Sequence, residues 1–392
     1  MRRQIYHIYK KTVKIVIAPD KFKGSLTGLE FCNAVEEGIQ SVIKDVEIVK
    51  MPLSDGGDGT IKVANHYLKG AFIKVQVKNP LFNKIEAQYL YSKSTKVAFI
   101  EMAEASGIKL LKQEELDCKN TTTYGTGQLI LDAINKGAKL IIIGLGGSAT
   151  NDCGIGMATA LGYRFLDKNK KEVYPVGKEL LKIVSIDTSN VSTALKKVKF
   201  KIACDVANPL YGKNGAAYVY AQQKGASAED IKLLDKGLKH FSIVLNDHFN
   251  VNPTDIIGAG AAGGMGIATK LFLDGTLVSG ITLVKEIAQF KKEIIDADWI
   301  ITGEGKLDSQ TFSGKTISGI LTEVQHQKIR VAAFCGIIDV SIKDLNKMGV
   351  TYTDSVINYA DNLEDALKHS YRYVKEISSI FAKSQLKKVT MS

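Results

Sequence analysis

The stretch Lys14-Ile-Val-Ile-Ala-Pro19 predicts a buried β-strand, because it is short, rich in β-branched residues and bounded by proline. A helix is predicted to follow it, with Ser25 or Thr27 as the N-cap. Residues 46–51 predict a second strand, and residues 60–68 predict a second helix. Strands that alternate with helices in this way are typical of a parallel sheet.

The pattern changes after residue 70 and returns near the C-terminal end. Three strands are predicted without helices between them, which favours antiparallel pairing, over 71–77, 85–91 and 96–102. The alternation of strands and helices resumes from about residue 298. The strands predicted there are 299–302, 330–335 and 355–359.

These patterns predict an α/β protein made of two α/β domains. A doubly wound parallel-sheet domain is formed by both termini, and a mixed α/β domain is inserted into it. We assign residues 1–68 and 285–392 to the Rossmann-like terminal domain, with 1–13 as a basic leader, and residues 69–284 to the inserted domain. The length of 392 residues fits two domains better than one.

The composition excludes several classes of protein. Hydrophobic residues make up 45% of the chain and charged residues 24%, which excludes a disordered protein. The net charge of +11 is spread without a basic helical stripe, so no nucleic-acid partner is expected. The longest uncharged run, 256–269, is too short to span a bilayer, so no membrane partner is expected. The five cysteines form no Cys-x-x-Cys pattern, which favours reduced thiols and a cytoplasmic location.

Glycines and acidic residues cluster after the predicted strands, at the edge where open α/β sheets bind ligands. Asp20-Lys-Phe-Lys-Gly-Ser25 combines a carboxylate, two cations and a helix start, which suits a phosphate or metal–phosphate ligand. A solvated turn with a capping serine explains this segment equally well. Ser54-Asp-Gly-Gly-Asp-Gly-Thr60 could hold Mg²⁺ through one or two carboxylates, although a tight turn is the more common meaning of such a motif.

Four further loops carry polar groups. Gly144-Leu-Gly-Gly-Ser-Ala-Thr-Asn-Asp152 allows backbone N–H groups to close on an oxyanion, and its density of polar residues favours this over a plain turn. Asp205 follows a predicted strand and could accept a proton from a substrate hydroxyl, or it could simply cap a turn. Gly258-Ala-Gly-Ala-Ala-Gly-Gly-Met-Gly266 is a weak dinucleotide fingerprint, so close packing or phosphate contact is favoured. Thr302-Gly-Glu-Gly-Lys-Leu-Asp308 adds two acids and a cation.

Eight motifs follow one another in a recognisable order. They are Ile17-Ala-Pro-Asp20 with Phe22-Lys-Gly-Ser-Leu26, Asp55-Gly-Gly-Asp-Gly-Thr60, Thr121-Thr-Thr-Tyr-Gly-Thr-Gly127, Gly146-Gly-Ser-Ala-Thr-Asn-Asp152, Cys204-Asp-Val-Ala-Asn-Pro-Leu210, Gln223-Lys-Gly-Ala226, Gly258-Ala-Gly-Ala-Ala-Gly-Gly264 and Ile301-Thr-Gly-Glu-Gly305. In this order they resemble the type I glycerate kinases, over residues 14 to about 383. The sequence departs from that family at Lys21, Asp58, Cys153 and Lys306, and residues 1–13 lie outside the resemblance.

The resemblance implies ATP-dependent phosphorylation of D-glycerate, with Mg²⁺ as cofactor and an active site in a cleft between the two domains. It favours 2-phosphoglycerate over 3-phosphoglycerate as the product. The expected partners are small molecules alone, and a homodimer remains an open alternative. Phosphoryl transfer requires positioning and positive charge more than covalent chemistry, and glycine loops with Asp, Lys and Thr supply those parts.

The candidate site residues fall into four predicted roles. Catalytic roles are predicted for Asp205, Asp20 and Lys23; nucleotide or phosphate binding for Gly146, Gly147, Ser148, Thr150, Gly260, Gly263 and Gly264; substrate binding for Ser25, Asn151, Asp152, Asn208 and Thr126; and metal binding for Asp55, Asp58, Glu304 and Asp308. Within the catalytic set, Asp205 is favoured as the general base and Asp20 as an anchor for substrate or metal. Lys23 is expected to face the transferring phosphoryl group.

Two alternative functions compete with a kinase. A nicotinamide-dependent dehydrogenase of a small hydroxy acid is supported by the glycine pattern at 258–263. A non-catalytic sensor of sugar acids on the same scaffold is supported by the four departures from the family pattern. Stabilisation by NADH alone would favour the dehydrogenase, and the absence of ADP release with D-glycerate would favour the sensor.

Overall fold

The structure is a computed structural model, and it describes residues 12–56, 59–308 and 316–387. The basic leader predicted at 1–13 therefore falls almost wholly outside the described residues. The strands are β1 (Val13–Ile17), β2 (Val46–Lys50), β3 (Ala71–Lys78), β4 (Lys84–Ser92), β5 (Val97–Glu101), β6 (Leu140–Gly144), β7 (Arg164–Leu166), β8 (Ser185–Asp187), β9 (Lys199–Ala203), β10 (Thr276–Val278), β11 (Trp299–Thr302), β12 (Lys306–Leu307), β13 (Arg330–Cys335), β14 (Ile337–Ile338) and β15 (Val350–Ser355).

The helices occupy the connections between these strands. They are α1 (Gly28–Gln40), α2 (Thr60–Leu68), α3 (Ala103–Ser106), α4 (Tyr124–Asn135), α5 (Ile155–Ala160), α6 (Ala216–Tyr220), α7 (Ala228–Phe249), α8 (Ala261–Leu273), α9 (Gly280–Ile287), α10 (Phe290–Glu293), α11 (Thr316–Val324), α12 (Ile342–Met348), α13 (Leu363–Lys368) and α14 (Ser370–Phe381). Within the described parts of the chain, no helix is long and apolar enough to cross a membrane.

The chain divides into two compact units. The terminal unit comprises Met1–Asp55 and Val284–Ser392, and the central unit comprises Gly56–Leu283. The boundary predicted after residue 68 differs from this division, because helix α2 packs against strands β4 and β5 and so belongs to the central unit.

The terminal unit contains a five-stranded, wholly parallel sheet in the order β15-β13-β11-β1-β2. Ile15, Ile17 and Trp299 lie in its main core, which helices α1 and α14 cover. Val16 and Ile300 are fully buried as well, so both faces of the central strands are shielded from water. This arrangement confirms the doubly wound sheet predicted from both termini.

Helix α1 begins where the sequence predicts a helix. Thr27 is the N-cap: its hydroxyl accepts a hydrogen bond from the backbone N–H of Glu30 at 3.2 Å. The Glu30 carboxylate in turn accepts one from the Thr27 backbone N–H at 2.8 Å. This reciprocal pair satisfies two backbone donors that the first helical turn leaves without partners.

The central unit contains a six-stranded mixed sheet in the order β10-β9-β6-β5-β4-β3. Strands β3, β4 and β5 pair antiparallel, as predicted, whereas β5, β6, β9 and β10 pair parallel. The carboxyl ends of β6 and β9 are neighbours in register, since Gly144 pairs with Ala203. The loops that follow these two strands therefore emerge side by side.

One predicted strand is wrong in position. The strand predicted over 355–359 lies earlier, at Val350–Ser355, and Val356–Asn358 form a 3₁₀ turn. Strand β15 is an edge strand whose middle residues are partly exposed, and it carries Thr351, Thr353 and Asp354. Because these residues are polar, the strand contains no apolar run from which it could be predicted.

Phe381 is expected to be a major contributor to the stability of the terminal unit. Its fully buried ring lies 4.9 Å from Trp299, 5.1 Å from Tyr352 and 5.5 Å from Phe334, measured between ring centroids. Phe381→Ala leaves a cavity among these rings and should lower the free energy of unfolding by about 3–5 kcal/mol. Urea denaturation followed by the fluorescence of Trp299, the single tryptophan, measures this change.

The matched control is Ile342→Ala, because the Ile342 side chain is 65% exposed. That substitution should change the free energy of unfolding by no more than about 0.5 kcal/mol. A loss below about 1 kcal/mol for Phe381→Ala would contradict the close packing of the aromatic cluster.

Candidate functional site

A pocket of about 390 Å³ lies in the central unit, and we call it the central pocket. The residues that define it are Gly146, Gly147, Ser148, Asp205, Gln223, Lys224, Ala261 and Ala262, with Gly56, Ile108, Leu145, Ala203, Cys204, Val206 and Tyr220 completing the wall. It therefore collects the loops that follow β6 and β9, as the neighbouring ends of these strands require. The predicted residues that it brings together are Gly146, Gly147, Ser148 and Asp205.

The loop after β6 presents backbone donors to this pocket. Gly146 and Gly147 are exposed, and a Cβ at Gly146 would meet nothing within 4 Å. Gly147 has a φ of +72°, a left-handed conformation that glycine adopts without strain. In the described part of the chain, the backbone N–H groups of Gly146, Gly147 and Ser148 donate to no acceptor. Three unpaired N–H groups at a pocket wall suit an oxyanion.

Lys224 is a buried cation on the wall of the central pocket. Its side chain is only 3% exposed, and its ammonium donates to the Ser148 hydroxyl at 2.7 Å and to the Thr150 carbonyl at 2.8 Å. Burial lowers the pKa of this group to about 8, because an ammonium loses hydration inside the protein. No carboxylate among the described residues forms an ion pair with it.

Asp205 is the exposed carboxylate of the central pocket. It follows strand β9, and one of its oxygens accepts a hydrogen bond from the backbone N–H of Gly280 at 2.9 Å, where helix α9 begins. Gly56 approaches so closely that a Cβ there would lie 2.5 Å from the other oxygen. Asp205 thus caps the start of helix α9 and lies on the pocket wall, and its predicted role as a general base stays a prediction.

A second pocket, of about 370 Å³, lies in the terminal unit, and we call it the terminal pocket. Its charged lining residues are Asp20, Lys21, Lys23, Asp55, Glu304 and Lys306. Its apolar lining residues include Ile337, Val356, Leu363 and Leu367. Ser25 also lines it, hydrogen-bonded to the Ser370 hydroxyl. The predicted residues Asp20, Lys23, Ser25, Asp55 and Glu304 therefore share one pocket.

Asp20 is held in place and is unusually basic for an aspartate. It is 6% exposed and accepts hydrogen bonds from the Lys21 backbone N–H at 2.7 Å and the Thr316 hydroxyl at 2.5 Å. Burial raises the pKa of Asp20, and the negative charge of Asp55 raises it further against the opposing bond from Thr316. The two carboxylates thus repel each other in one pocket.

The predicted metal ligands separate in the structure. Asp20, Asp55 and Glu304 fit a divalent cation, because such an ion would neutralise the repulsion between the Asp20 and Asp55 carboxylates. In the described residues, no three His, Cys, Asp or Glu side chains form a complete metal-binding group. Mg²⁺ needs only one or two protein carboxylates beside phosphates and water. Asp308 does not line the terminal pocket, and Asp58 lies outside the described residues.

Several predicted substrate-binding residues are engaged with the protein itself. Fully buried Asp152 accepts from the Thr123 N–H and hydroxyl and from the N–H groups of Gly154 and Gly156, at 2.8 to 3.2 Å. Thr126 is fully buried against Ser106 at 2.7 Å. Asn208 accepts from the Tyr220 hydroxyl at 2.7 Å. The geometry gives Asp152, Thr126 and Asn208 internal partners, and neither pocket is lined by them.

Thr150 and Asn151 are different, because their buried side chains lack partners. The Thr150 hydroxyl and both polar atoms of the Asn151 amide form no hydrogen bond in the described part of the chain. Both residues are fully buried, and neither lines the central or the terminal pocket. The predicted contacts of these two side chains with ligands therefore stay predictions.

Three glycines predicted to bind nucleotide have close protein neighbours instead. A Cβ at Gly260 would lie 2.2 Å from the Pro209 carbonyl oxygen, and one at Gly263 would lie 2.2 Å from the Thr150 carbonyl oxygen. A Cβ at Gly264 would lie 2.8 Å from the Cα of Cys153. Close packing therefore explains glycine at all three positions, and nucleotide binding there stays a prediction.

The sequence analysis missed Lys224 as a site residue. The motif Gln223-Lys-Gly-Ala226 belongs to the resemblance, but it suggests no chemistry by itself. Its lysine lies in a short 3₁₀ turn, where lysines are usually solvated. The signal available in the sequence was Gly225, which directly follows that lysine. In the structure Gly225 has a φ of +89°, which allows the chain to turn sharply against the Leu116 backbone.

Comparisons with known proteins identify the family. A family model described as the glycerate kinase family matches residues 15–385. The chain belongs to that family. It is 42% identical to a glycerate kinase from Bacillus cereus, over 91% of this chain and 93% of the relative. It is 40% identical to the glycerate 2-kinase of Escherichia coli, over 92% of this chain and 94% of the relative.

A solved structure agrees with this assignment. A crystal structure described as glycerate kinase 2 from Salmonella typhimurium LT2 matches with a TM-score of 0.86 and 38% identity, and the match covers 97% of this chain and 100% of that chain. The comparisons confirm the predicted resemblance and the α/β fold, and they show that the chain is a kinase.

Asp152→Ala should reduce stability rather than substrate affinity alone. The substitution leaves four buried donors around Thr123, Gly154 and Gly156 without an acceptor, so the free energy of unfolding should fall by at least about 3 kcal/mol. Urea denaturation followed by far-UV circular dichroism provides the measurement. Asp247→Ala, at an exposed position of α7, is the matched control and should change stability by no more than about 0.5 kcal/mol. Native stability with a raised KM for substrate would instead place Asp152 in the binding site.

Proposed function

We propose that this member of the glycerate kinase family transfers the γ-phosphoryl group of ATP to the 2-hydroxyl of D-glycerate, giving 2-phosphoglycerate and ADP. The observation that carries the proposal is the central pocket, which the exposed carboxylate of Asp205 lines together with Gly146, Gly147 and Ser148, whose N–H groups have no acceptor among the described residues. The choice of the 2-hydroxyl is supported by the name of the Escherichia coli relative, glycerate 2-kinase.

The glycine loop supplies the positioning that phosphoryl transfer requires. Little covalent chemistry falls to the protein in such a reaction, so fixed donors around the phosphate oxygens do most of the work. The N–H groups of Gly146 and Gly147 are held by the strand that precedes them, since Gly144 is paired on both sides in the central sheet. Donors fixed in this way need no rearrangement when negative charge develops.

Asp205 is proposed as the group that takes the proton of the glycerate hydroxyl. An alcohol is a weak nucleophile, so a carboxylate within hydrogen-bond reach orients it and accepts its proton as the new bond forms. The bond from the Gly280 N–H fixes one oxygen of Asp205 and leaves its carboxylate on the pocket wall.

Asp20 and Asp55, with Glu304, are proposed to hold Mg²⁺ at the terminal pocket. When bound, that ion neutralises charge on the phosphate oxygens of the nucleotide. Thr316 and the Lys21 backbone N–H keep the Asp20 carboxylate oriented. Lys23 is exposed on the same pocket, where its mobile ammonium is proposed to contact the transferring phosphoryl group.

The activity is tested by following ADP release from MgATP with D-glycerate as the acceptor. The product is identified by adding enolase without a phosphoglycerate mutase, because enolase acts directly on 2-phosphoglycerate alone. We expect ADP release that depends on D-glycerate, and product that enolase consumes. ADP release with an enolase-resistant product would move the phosphorylation to the 3-hydroxyl. A folded protein that releases no ADP and is stabilised only by NADH would support the dehydrogenase alternative instead.

Asp205→Asn should lower kcat by about 100-fold or more with a modest change in KM, the size expected for the loss of a general base. Asparagine retains the shape of the side chain and can still accept from the Gly280 N–H, so the fold should persist. Asp247→Asn on the exposed face of α7 is the control and should leave kcat unchanged. If Asp205→Asn is nearly as fast as the wild type while Asp20→Asn is inactive, the two predicted roles are reversed.

A further inference from the structure

Lys224 presents a buried positive charge that no carboxylate of the described residues neutralises through an ion pair. Removing an ammonium from water is costly, so buried lysines are usually paired or neutral. The hydrogen-bond partners of this ammonium are a hydroxyl and a carbonyl, both uncharged. They use two of its three N–H donors, and the residue lines the central pocket. A ligand in that pocket can therefore supply the direct ion pair that Lys224 lacks among the described residues.

The loop that follows β6 independently indicates an anionic ligand. The Ser148 hydroxyl that accepts from Lys224 belongs to the loop whose N–H groups at Gly146, Gly147 and Ser148 have no acceptor among the described residues. A cation and several neutral N–H donors around one volume are complementary to a compact oxyanion, and they offer nothing to a cation.

From this geometry we propose that Lys224 is the oxyanion receptor of the central pocket, donating its third N–H to a carboxylate or phosphate oxygen of the substrates. The proposal rests on the proposed function for the identity of those substrates, D-glycerate and ATP. Binding of the anion adds a direct ion pair to the longer-range compensation that Asp152 supplies to Lys224, so the ammonium is a binding group rather than a structural one.

The titratable groups around Lys224 among the described residues are Asp152, Cys118 and three residues of the pocket wall. The negative charge of Asp152 raises the pKa of Lys224, whereas burial raises the pKa of Asp152 itself against the four hydrogen bonds that it accepts. Burial raises the pKa of the Cys118 thiol to about 11, so it stays neutral. The other titratable residues on the pocket wall are Cys204, Asp205 and Tyr220. Burial raises the pKa values of Cys204 and Tyr220, which favours the neutral form of both.

The first test measures ligand binding without turnover. Thermal shift and calorimetric titration are carried out at pH 7 on wild type and Lys224→Met, with D-glycerate, MgATP and inorganic phosphate as separate probes. Lys224→Met keeps the length of the side chain and removes the charge. We expect it to weaken the binding of at least one of these anions about tenfold or more, the loss typical of a charge-assisted hydrogen bond. Lys232→Met, at an exposed position of α7, is the matched control and should bind like the wild type.

The three probes separate the two sources of oxyanion. Loss of D-glycerate binding with retained MgATP binding assigns Lys224 to the carboxylate, and the reverse assigns it to a nucleotide phosphate. Either result supports the proposal that Lys224 is the oxyanion receptor. The loss of binding of both D-glycerate and MgATP also supports it, provided that the variant unfolds cooperatively. Wild-type affinity for all three probes in Lys224→Met would overturn it.

A second test needs only the wild-type protein and therefore does not depend on how the variant folds. With a pKa of about 8, Lys224 is protonated at pH 7 and largely neutral at pH 9, so anion affinity should fall about tenfold between these values. Affinity that is unchanged across this range would also overturn the proposal. Because both tests measure binding, anions that bind as expected to a protein that fails to phosphorylate glycerate would contradict the proposed function and leave the receptor standing.

Discussion

The central pocket depends on the close approach of two backbone segments, at Gly263 and Thr150. A Cβ at Gly263 would lie 2.2 Å from the Thr150 carbonyl oxygen, a distance that no side chain tolerates, and Gly263 has a φ of +73°. The contact is closed by a hydrogen bond from the Cys153 N–H to the Gly263 carbonyl at 2.9 Å. Helix α8 is interrupted here, since Ala262, Gly263 and Gly264 all have positive φ angles. The kink fixes the loop that carries Ser148, and through the Thr150 carbonyl it fixes one partner of Lys224.

The two pockets differ in the sign of the charge that they bury. In the central pocket the buried charge is the ammonium of Lys224, and the carboxylate of Asp205 is exposed. In the terminal pocket the buried charges are the carboxylates of Asp20 and Glu304, whereas Lys23 and Lys306 are exposed. Buried charges act through a low dielectric and exposed ones are screened, so the buried set decides the preferred ligand. On this ground we propose an oxyanion as the ligand of the central pocket and a cation as the ligand of the terminal pocket.

The fold was predictable where its determinants are local. The β-branched run at 14–17 and the strands without helices between 71 and 102 each carry their own signal, and each was found. For the helix cap the sequence offered Ser25 or Thr27, and the structure has Thr27. The misplaced strand β15 shows the limit, because Val350–Ser355 is an edge strand whose partly exposed, polar residues lack an apolar period. The domain boundary shows another, since the assignment of α2 depends on its packing against β4 and β5 and not on its own residues.

The site was harder to predict, because a glycine or a lysine can serve either the packing of the protein or the binding of a ligand. Only the packing of the folded chain shows which of the two applies. Gly146 and Gly263 look alike in sequence, yet a Cβ on the first would enter open space and one on the second would collide with the Thr150 carbonyl. Lysine presents the same ambiguity: Lys224 and Lys232 lie eight positions apart along the chain, one buried and one exposed. The function of a charged side chain depends on how much water surrounds it, and that is a property of the folded neighbourhood. A family motif therefore locates such a residue, and only its burial and partners show what it can bind.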